Sequence, residues 1–105
     1  MLYITRNRYK ESVKSEDLSK INKLIDTEII PALEKVEGVR SAHAYNSIAG
    51  ELTFVLDTQD MATVDRILAD PGLKAVMGKL FNVLVCIGGE VLYDRQRWEG
   101  LYGTS

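Results

Sequence analysis

The sequence predicts an α+β domain with the element order β-α-β-β-α-β. Stretches in which polar and apolar residues alternate are typical of strands, and they occur at the beginning, middle and end of the chain. Between them lie two segments with apolar residues at spacings of three and four, which are typical of amphipathic helices. This order is the split arrangement of ferredoxin-like folds, in which both helices cover one face of an antiparallel sheet.

The first half of the chain predicts one strand and one long helix. Residues 2–9 alternate in period two, and an apolar stripe then runs through residues 18–36 of a helix of roughly six turns. Pro31 falls inside this helix and has no N–H to donate to the carbonyl of Thr27, so we expect a kink there. Gly38 is suited to ending the helix, because glycine adopts the left-handed conformation that terminates many helices.

The middle of the chain predicts a β-hairpin followed by a second, interrupted helix. Residues 39–46 and 51–57 are its strands, and the connection 47–50 has a length suited to a hairpin. The second helix covers residues 61–68, is broken by a Pro-Gly pair, and continues over residues 73–80.

The end of the chain predicts a last strand and a tail. Residues 83–87 are apolar on both faces, as expected of a strand covered twice. The following pair Gly88-Gly89 is compatible with a bulge or with a hairpin turn before the strand-like residues 90–94. Residues 95–105 contain Trp98 and further apolar residues that have no place on a minimal four-stranded domain.

Composition narrows the class of protein. A chain of 105 residues with 46% hydrophobic and 27% charged residues is expected to form a single domain over residues 1–105. The formal net charge of −2 and the scattered basic residues argue against nucleic-acid binding. No apolar run is long enough to span a membrane, and no signal peptide is visible. The single cysteine is typical of a protein in a reducing compartment, so we expect a cytoplasmic protein.

The two faces of the predicted sheet favour a homodimer. Uniformly apolar positions are assigned to the helix side: Leu2, Ile4, Ala42, Ala44, Leu52, Phe54 and Leu56. The opposite face then carries a mixed set: Tyr3, Thr5, Asn7, Tyr9, Ser41, His43, Tyr45, Thr53 and Val55. Since tyrosines bury well while keeping a polar tip, we expect this face to pair with a second copy, with the tail 95–105 packed on the partner subunit.

Two segments resemble a known family. Residues 29–39 (IIPALEKVEGV) look like the first helix-to-strand junction of the dimeric α/β-barrel superfamily, and residues 68–77 (LADPGLKAVM) are similar to its second helix. The relevant branch is the antibiotic-biosynthesis-monooxygenase-like group. The resemblance implies a ferredoxin-like dimer. Known members include cofactor-independent oxygenases, haem-degrading enzymes, isomerases, dehalogenating enzymes and ligand-sensing modules, so the fold does not choose a function.

The resemblance also implies where a site would lie. Oxygenase members combine an asparagine on the first strand with a tryptophan, and often a histidine, on the helical side of the pocket. Asn7 is at a suitable place for that asparagine, although its alternation groups it with Tyr3 and Thr5, on the face assigned away from the helices. The helices contain neither tryptophan nor histidine, since Trp98 is in the tail and His43 is on the second strand.

Each candidate residue has a catalytic and a structural interpretation. His43 is the obvious general base because its unperturbed pKa is near neutrality, but it also suits a dimer interface. Asn7 would polarise a substrate oxyanion or satisfy a loop backbone. Tyr3, Tyr45 and Trp98 would either contact a ligand or pack against neighbouring side chains of the protein.

Covalent and metal chemistry have little support in the sequence. Cys86 is expected to be a buried strand residue rather than a nucleophile, because nucleophilic work needs exposure and an activating base. One histidine and one cysteine cannot make the usual zinc sets, so neither a metal nor a cofactor is expected.

Two functions remain open. The first is a cofactor-independent, monooxygenase-like enzyme acting on a small aromatic or polyketide-like molecule. The second is a non-catalytic ligand-binding or assembly module, so whether the protein is an enzyme stays undecided at this point.

Overall fold

The computed structural model describes residues 1–95. Its strands are β1 (Leu2–Tyr9), β2 (Val39–Asn46), β3 (Glu51–Thr58) and β4 (Leu84–Leu92). Its α-helices are α1 (Leu18–Leu24), α2 (Ile30–Glu34), α3 (Met61–Ala69) and α4 (Pro71–Phe81). A 3-10 turn, Ser15–Asp17, precedes α1, and a π-helical segment, Ile25–Ile29, joins α1 to α2.

The strands form one antiparallel sheet in the order β2-β3-β1-β4. This confirms the β-α-β-β-α-β pattern, since the first helical segment precedes β2 and the α3–α4 pair precedes β4. Alternate residues of β3 form the centre of the core, and Leu52, Phe54 and Leu56 are all almost fully buried. They pack with the apolar stripe of the first helical segment, which includes Ile29 and Leu33. We call this the helix face of the sheet and the other side the open face.

The irregularity expected at Pro31 is a π-helical turn. Proline has no N–H, so the chain cannot form the ordinary α-helical bond from position 31 to the carbonyl of Thr27. Just before it, the N–H of Ile30 donates to the carbonyl of Ile25, five residues back, as a π-turn requires. The apolar stripe continues through this turn, because Ile25 and Ile29 are both buried.

Aspartate caps begin both halves of the interrupted second helix, and the second of them lies at the break. Asp60 Oδ1 accepts a 2.9 Å hydrogen bond from the Thr63 N–H at the start of α3. Asp70 Oδ1 accepts a 2.8 Å bond from the Leu73 N–H at the start of α4, with Pro71 in the first turn of that helix. Each carboxylate satisfies an N–H that has no partner within the helix. The predicted interruption is therefore a second helix start.

Gly38 is required where the first helical segment turns into β2. Its φ of +95° lies in the left-handed region, which a side chain makes costly. A Cβ at this position would also collide with Oγ1 of Thr63 and approach Nη2 of Arg66 to 2.8 Å. The close approach is held by Arg66, whose Nε donates to the carbonyl of Glu37 at 3.0 Å.

The face assignment predicted for β1 was wrong. Tyr3, Thr5 and Asn7 lie directly opposite Leu56, Phe54 and Leu52, and directly opposite residues share a face of the sheet. The polar set of β1 is therefore on the helix face, while Leu2 and Ile4 are on the open face. Alternation defines two sets of residues but does not say which set is buried, and the helix face here borders a cavity that accommodates polar groups.

The last strand is continuous, so Gly88-Gly89 is not a hairpin turn. Arg6 pairs with Gly88 and Asn7 pairs with Cys86, which leaves Ile87 as the extra residue of a β-bulge beside Asn7. The expectation that residues 83–87 are covered on both sides was also wrong for this chain. The strand is at the edge of the sheet, and Cys86 and Ile87 are exposed.

Two further expectations concern the chain's surroundings. Across residues 1–95, the helices are too short or too polar to cross a membrane. Trp98, and with it the predicted packing of the tail on a partner subunit, lies outside the described residues.

Candidate ligand-binding cavity

A cavity of about 480 Å³ lies between the helix face of the sheet and helices α2 to α4. Its lining is mostly apolar: Tyr3, Thr5, Asn7, Leu33, Phe54, Leu56, Ile67, Leu68, Leu73, Lys74, Met77, Phe81 and Cys86. This volume is within the range of pockets that hold small molecules, and a few polar groups in an apolar wall are typical of them. It is the candidate functional site.

One row of polar side chains lies along the floor of the cavity. Tyr3, Thr5 and Asn7 occupy alternate positions of β1 and therefore point to the same side. Residues two apart on a strand are separated by about 6.5 Å, so the row spans about 13 Å. A phenol, a hydroxyl and an amide are thus presented in line against an otherwise apolar wall.

Asn7 is the most deeply buried polar member of this row. It is only 4% exposed, and its Nδ2 donates to the carbonyl oxygen of Leu52 at 3.2 Å. No other hydrogen bond of this side chain is formed within residues 1–95, and no fully buried side-chain nitrogen or oxygen there lacks a partner. The amide oxygen therefore keeps contact with the space of the cavity. It is available to a ligand as an acceptor, and Nδ2 has a second hydrogen that the bond to Leu52 does not use.

Tyr3 and Cys86 complete the polar groups beside the floor. Burial raises the pKa of the Tyr3 phenol, and the nearby Cys86 raises it further. Tyr3 is therefore a neutral hydrogen-bond donor at physiological pH. Cys86 lies opposite Asn7 across the β1–β4 ladder and is exposed, so the prediction of a buried cysteine was wrong. Its position at the edge of the sheet, next to the bulge, leaves the thiol uncovered.

Helices α3 and α4 form the roof and mouth of the cavity. Leu68 and Phe81 line it while remaining 57% and 47% exposed, which places them at the rim. Of the lining residues within residues 1–95, Lys74, in the first half of α4, is the one with a charged side chain. The mouth therefore combines exposed apolar surface with a single ammonium group.

His43 and Tyr45 lie on the other side of the sheet from this cavity. Their neighbours Ala42 and Ala44 pair with Leu56 and Phe54, which puts His43 and Tyr45 on the open face. Both are exposed, and their ring centroids are 6.2 Å apart. The fold of one chain therefore does not bring His43 together with Asn7, nor Tyr45 with Tyr3. Of the residues expected to bind or act on a ligand, Asn7 and Tyr3 line the cavity.

Sequence reasoning missed two polar residues of the lining. Thr5 was grouped with the open face, although its spacing from Asn7 was a correct signal that the two share a side. Lys74 follows the Pro-Gly break and is typical of a solvated helix surface, so the sequence has no signal for its place at the mouth. Within residues 1–95, no group of three or more His, Cys, Asp or Glu side chains is placed to hold a metal ion.

Comparison with solved structures identifies the fold. The chain superimposes on Rv0793 from Mycobacterium tuberculosis with a TM-score of 0.65 and 15% identity, over 90% of this chain and 96% of that one. An antibiotic biosynthesis monooxygenase superimposes with a TM-score of 0.64 and 16% identity, over 90% of this chain and 97% of that one. SnoaB, a cofactor-independent oxygenase from Streptomyces nogalater, has a TM-score of 0.70 and 10% identity, over 89% of this chain and 92% of that one.

These similarities confirm the predicted ferredoxin-like α+β fold. The sequence itself matches no protein-family model and no curated protein. At identities this low, the likeness describes architecture and leaves the chemistry to be argued from the cavity.

Proposed function

We propose that this protein binds an apolar, polycyclic or polyketide-like molecule in its cavity and oxidises it with molecular oxygen, without a metal or organic cofactor. The observation that carries the proposal is Asn7, a buried amide with free hydrogen-bonding capacity in the apolar cavity. SnoaB, a cofactor-independent oxygenase, has the same fold, which supports the same class of reaction for this protein.

The chemistry follows from what the cavity holds. Its ionisable lining groups are Tyr3, Lys74 and Cys86, and His43 is on the open face. We therefore propose a substrate with a methylene made acidic by conjugation with a carbonyl, which loses a proton without a dedicated histidine base. The free N–H of Asn7 and the Tyr3 phenol would hold the enolate oxygen, where charge develops. The carbanion reduces O₂ and forms a hydroperoxide, which loses water to leave a new carbonyl: CH₂ plus O₂ gives C=O plus H₂O.

A second candidate is a non-catalytic ligand-binding or assembly module. The specific observation in its favour is the lack of a histidine, the usual general base near neutral pH, among the described lining residues. Such a protein would use the same floor and mouth to hold a molecule without altering it.

We further propose that two copies pair through their open faces. Exposed apolar and aromatic side chains gather there, with Leu2, Tyr45 and Leu92 between 37% and 56% exposed. Arg6 on this face is neutralised by Glu51, whose carboxylate it contacts at 3.0 to 3.2 Å, and this pairing raises the pKa of Arg6. His43 would then be an interface residue, with the tail and Trp98 packed on the partner. The single cysteine supports a cytoplasmic, reducing location.

Oxygen uptake with an anthrone tests the enzyme proposal. An anthrone has three fused rings and a methylene activated by a carbonyl, and its product is the anthraquinone. With a chelator present and no cofactor added, we expect one O₂ consumed per anthrone, faster than the background reaction. Asn7→Leu removes the amide and is expected to lower kcat about tenfold or more. Asn46→Leu is the matched control, because Asn46 is an exposed strand asparagine that bonds to the Tyr9 hydroxyl outside the cavity.

Each outcome decides between the candidates. Catalysis lost in Asn7→Leu and kept in Asn46→Leu supports the oxygenase. Anthrone binding without oxygen uptake contradicts it and favours the binding module. Failure of the probe to bind contradicts both uses of the cavity for molecules of this class.

A further inference from the structure

Among the lining residues that the structure describes, Lys74 is the only one with a charged side chain. It is on α4, while the neutral polar row of Tyr3, Thr5 and Asn7 is on β1. The polar groups of the cavity therefore occupy two separate places, one on the strand floor and one on the helix at the mouth. Apolar side chains line the rest, including those of Phe54, Leu56 and Met77.

The Lys74 ammonium has no acidic partner among the described residues, where no carboxylate oxygen comes within 4.0 Å of its Nζ. Lys79, on the same helix, shows the alternative arrangement, because its Nζ contacts Glu28 Oε1 at 2.8 Å. One lysine of α4 is thus paired on the surface, while the other is exposed and unpaired at the cavity.

We propose that the ligand of this cavity is an anion, with an apolar body between sheet and helices and a carboxylate or phenolate at the mouth against Lys74. The inference rests on the proposed function, in that the cavity must bind a small molecule at all. An apolar body filling the mouth removes water from one side of the ammonium, which disfavours an uncharged ligand there. An anionic group replaces that water with a charge-assisted hydrogen bond, and a cationic ligand would be repelled.

Binding of three matched fluorescent probes tests the charge of the ligand. Anthracene-9-carboxylate is anionic, its 9-carboxamide is a neutral analogue of nearly the same shape, and 9-(aminomethyl)anthracene is cationic at neutral pH. We expect the wild-type chain to bind the carboxylate about two- to fivefold more tightly than the carboxamide, and the cation most weakly. The preference should shrink as salt concentration rises, because Lys74 is exposed.

Substitutions on α4 assign the preference to one side chain. Lys74→Gln should remove it with little change in carboxamide binding, and Lys74→Glu should reverse it in favour of the cationic probe. Lys79→Gln is the matched control, since it removes the same charge about one and a half turns further along α4, outside the lining, and should keep the preference. Circular dichroism of each variant checks that α4 remains folded.

The possible failures are distinguishable. If the wild-type chain binds the carboxylate and the carboxamide equally, the anion inference is overturned and the cavity still binds polycyclic molecules. The anion inference is likewise overturned if Lys79→Gln removes the preference as effectively as Lys74→Gln. If none of the three probes binds, the proposed function fails for this ligand class, and the anion inference fails with it.

Discussion

Asn7 and Leu52 are direct partners in the β1–β3 ladder, and Nδ2 of Asn7 donates to the Leu52 carbonyl oxygen at 3.2 Å. This hydrogen bond fixes the orientation of the amide in the cavity floor. Asn7→Ala should destabilise the fold by about 1–3 kcal/mol, because a buried hydrogen bond is lost and a space is left. Urea denaturation measures the change.

Asn46→Ala provides the comparison for this stability effect. Asn46 is exposed and accepts a 2.9 Å hydrogen bond from the Tyr9 hydroxyl, so its loss should cost no more than about 0.5 kcal/mol. Equal costs at positions 7 and 46 would contradict the buried placement of the Asn7 amide.

Alanine substitutions at three glycines separate backbone strain from steric collision. Gly38→Ala combines a φ of +95° with a collision against Thr63, and should destabilise by about 3 kcal/mol or more. Gly50→Ala keeps a positive φ of +81° in open space, and should cost about 1–2 kcal/mol. Gly78→Ala, in α4 with open space around it, should stabilise by up to about 1 kcal/mol. Thermal denaturation of the three variants gives the order, and any other order argues against the described helix-to-strand junction.

The cap at Asp70 maintains the start of α4 and with it one wall of the cavity. Asp70→Ala removes the acceptor for the Leu73 N–H and should destabilise by about 1 kcal/mol. Asp65→Ala removes an equal charge from an exposed position in the middle of α3, and its free energy of unfolding should lie within about 0.5 kcal/mol of that of the wild type. A smaller loss at position 70 than at position 65, measured by chemical denaturation, would contradict the cap.

Alkaline pH should weaken the fold through Tyr3 and Tyr9. Burial raises the pKa of both phenols, and Cys86 adds to the effect on Tyr3. The unfolded chain then loses these protons first, near pH 10. Stability is therefore retained below that pH and is lost as pH rises from there through the folded-state pKa values.

Variants with phenylalanine isolate the contribution of these phenols. The free energy of unfolding of Tyr3→Phe with Tyr9→Phe should fall less steeply than that of the wild type between about pH 9.5 and 11. Urea titrations across this range measure both slopes. Parallel curves for the two proteins would show that the phenols are no harder to ionise in the folded chain.

Pairing through the open face predicts a mass of twice the 11.8 kDa of one chain in native mass spectrometry. His43→Glu together with Tyr45→Glu places two charges on that face, and should shift the protein to monomer at micromolar concentration. Ile48→Glu, at the fully exposed tip of the β2–β3 hairpin, should leave the mass unchanged. A monomeric wild-type chain would exclude the dimer directly.

The sequence predicted the elements better than it predicted the site. The strand limits of β1 and β2 follow from local patterns, which act over a few residues. The side on which Asn7 lies depends instead on its register with Leu52, a residue 45 positions away. A polar residue on a helix-covered face also breaks the rule that apolar residues point inward, and such exceptions gather at functional sites.

Cys86 shows a different limit of sequence reasoning. Its apolar neighbours are typical of a central strand, yet β4 is at the sheet edge and the thiol is exposed. Strand order in space is set by the packing of the whole domain, and no property of residues 83–87 discloses it.

The bulge in β4 has a consequence for how this cavity could be altered. Past the extra residue Ile87, the strand places Gly89 opposite Thr5, on the cavity side of the sheet. A Cβ added at Gly89 would meet its nearest atom, the carbonyl oxygen of Ile4, at 3.5 Å, which is an ordinary contact. A larger side chain could therefore narrow the space beside the polar row without forcing the backbone to move. Gly89 leaves the space beside Thr5 free of a side chain, so a single substitution there is expected to change which ligands fit while leaving the fold intact.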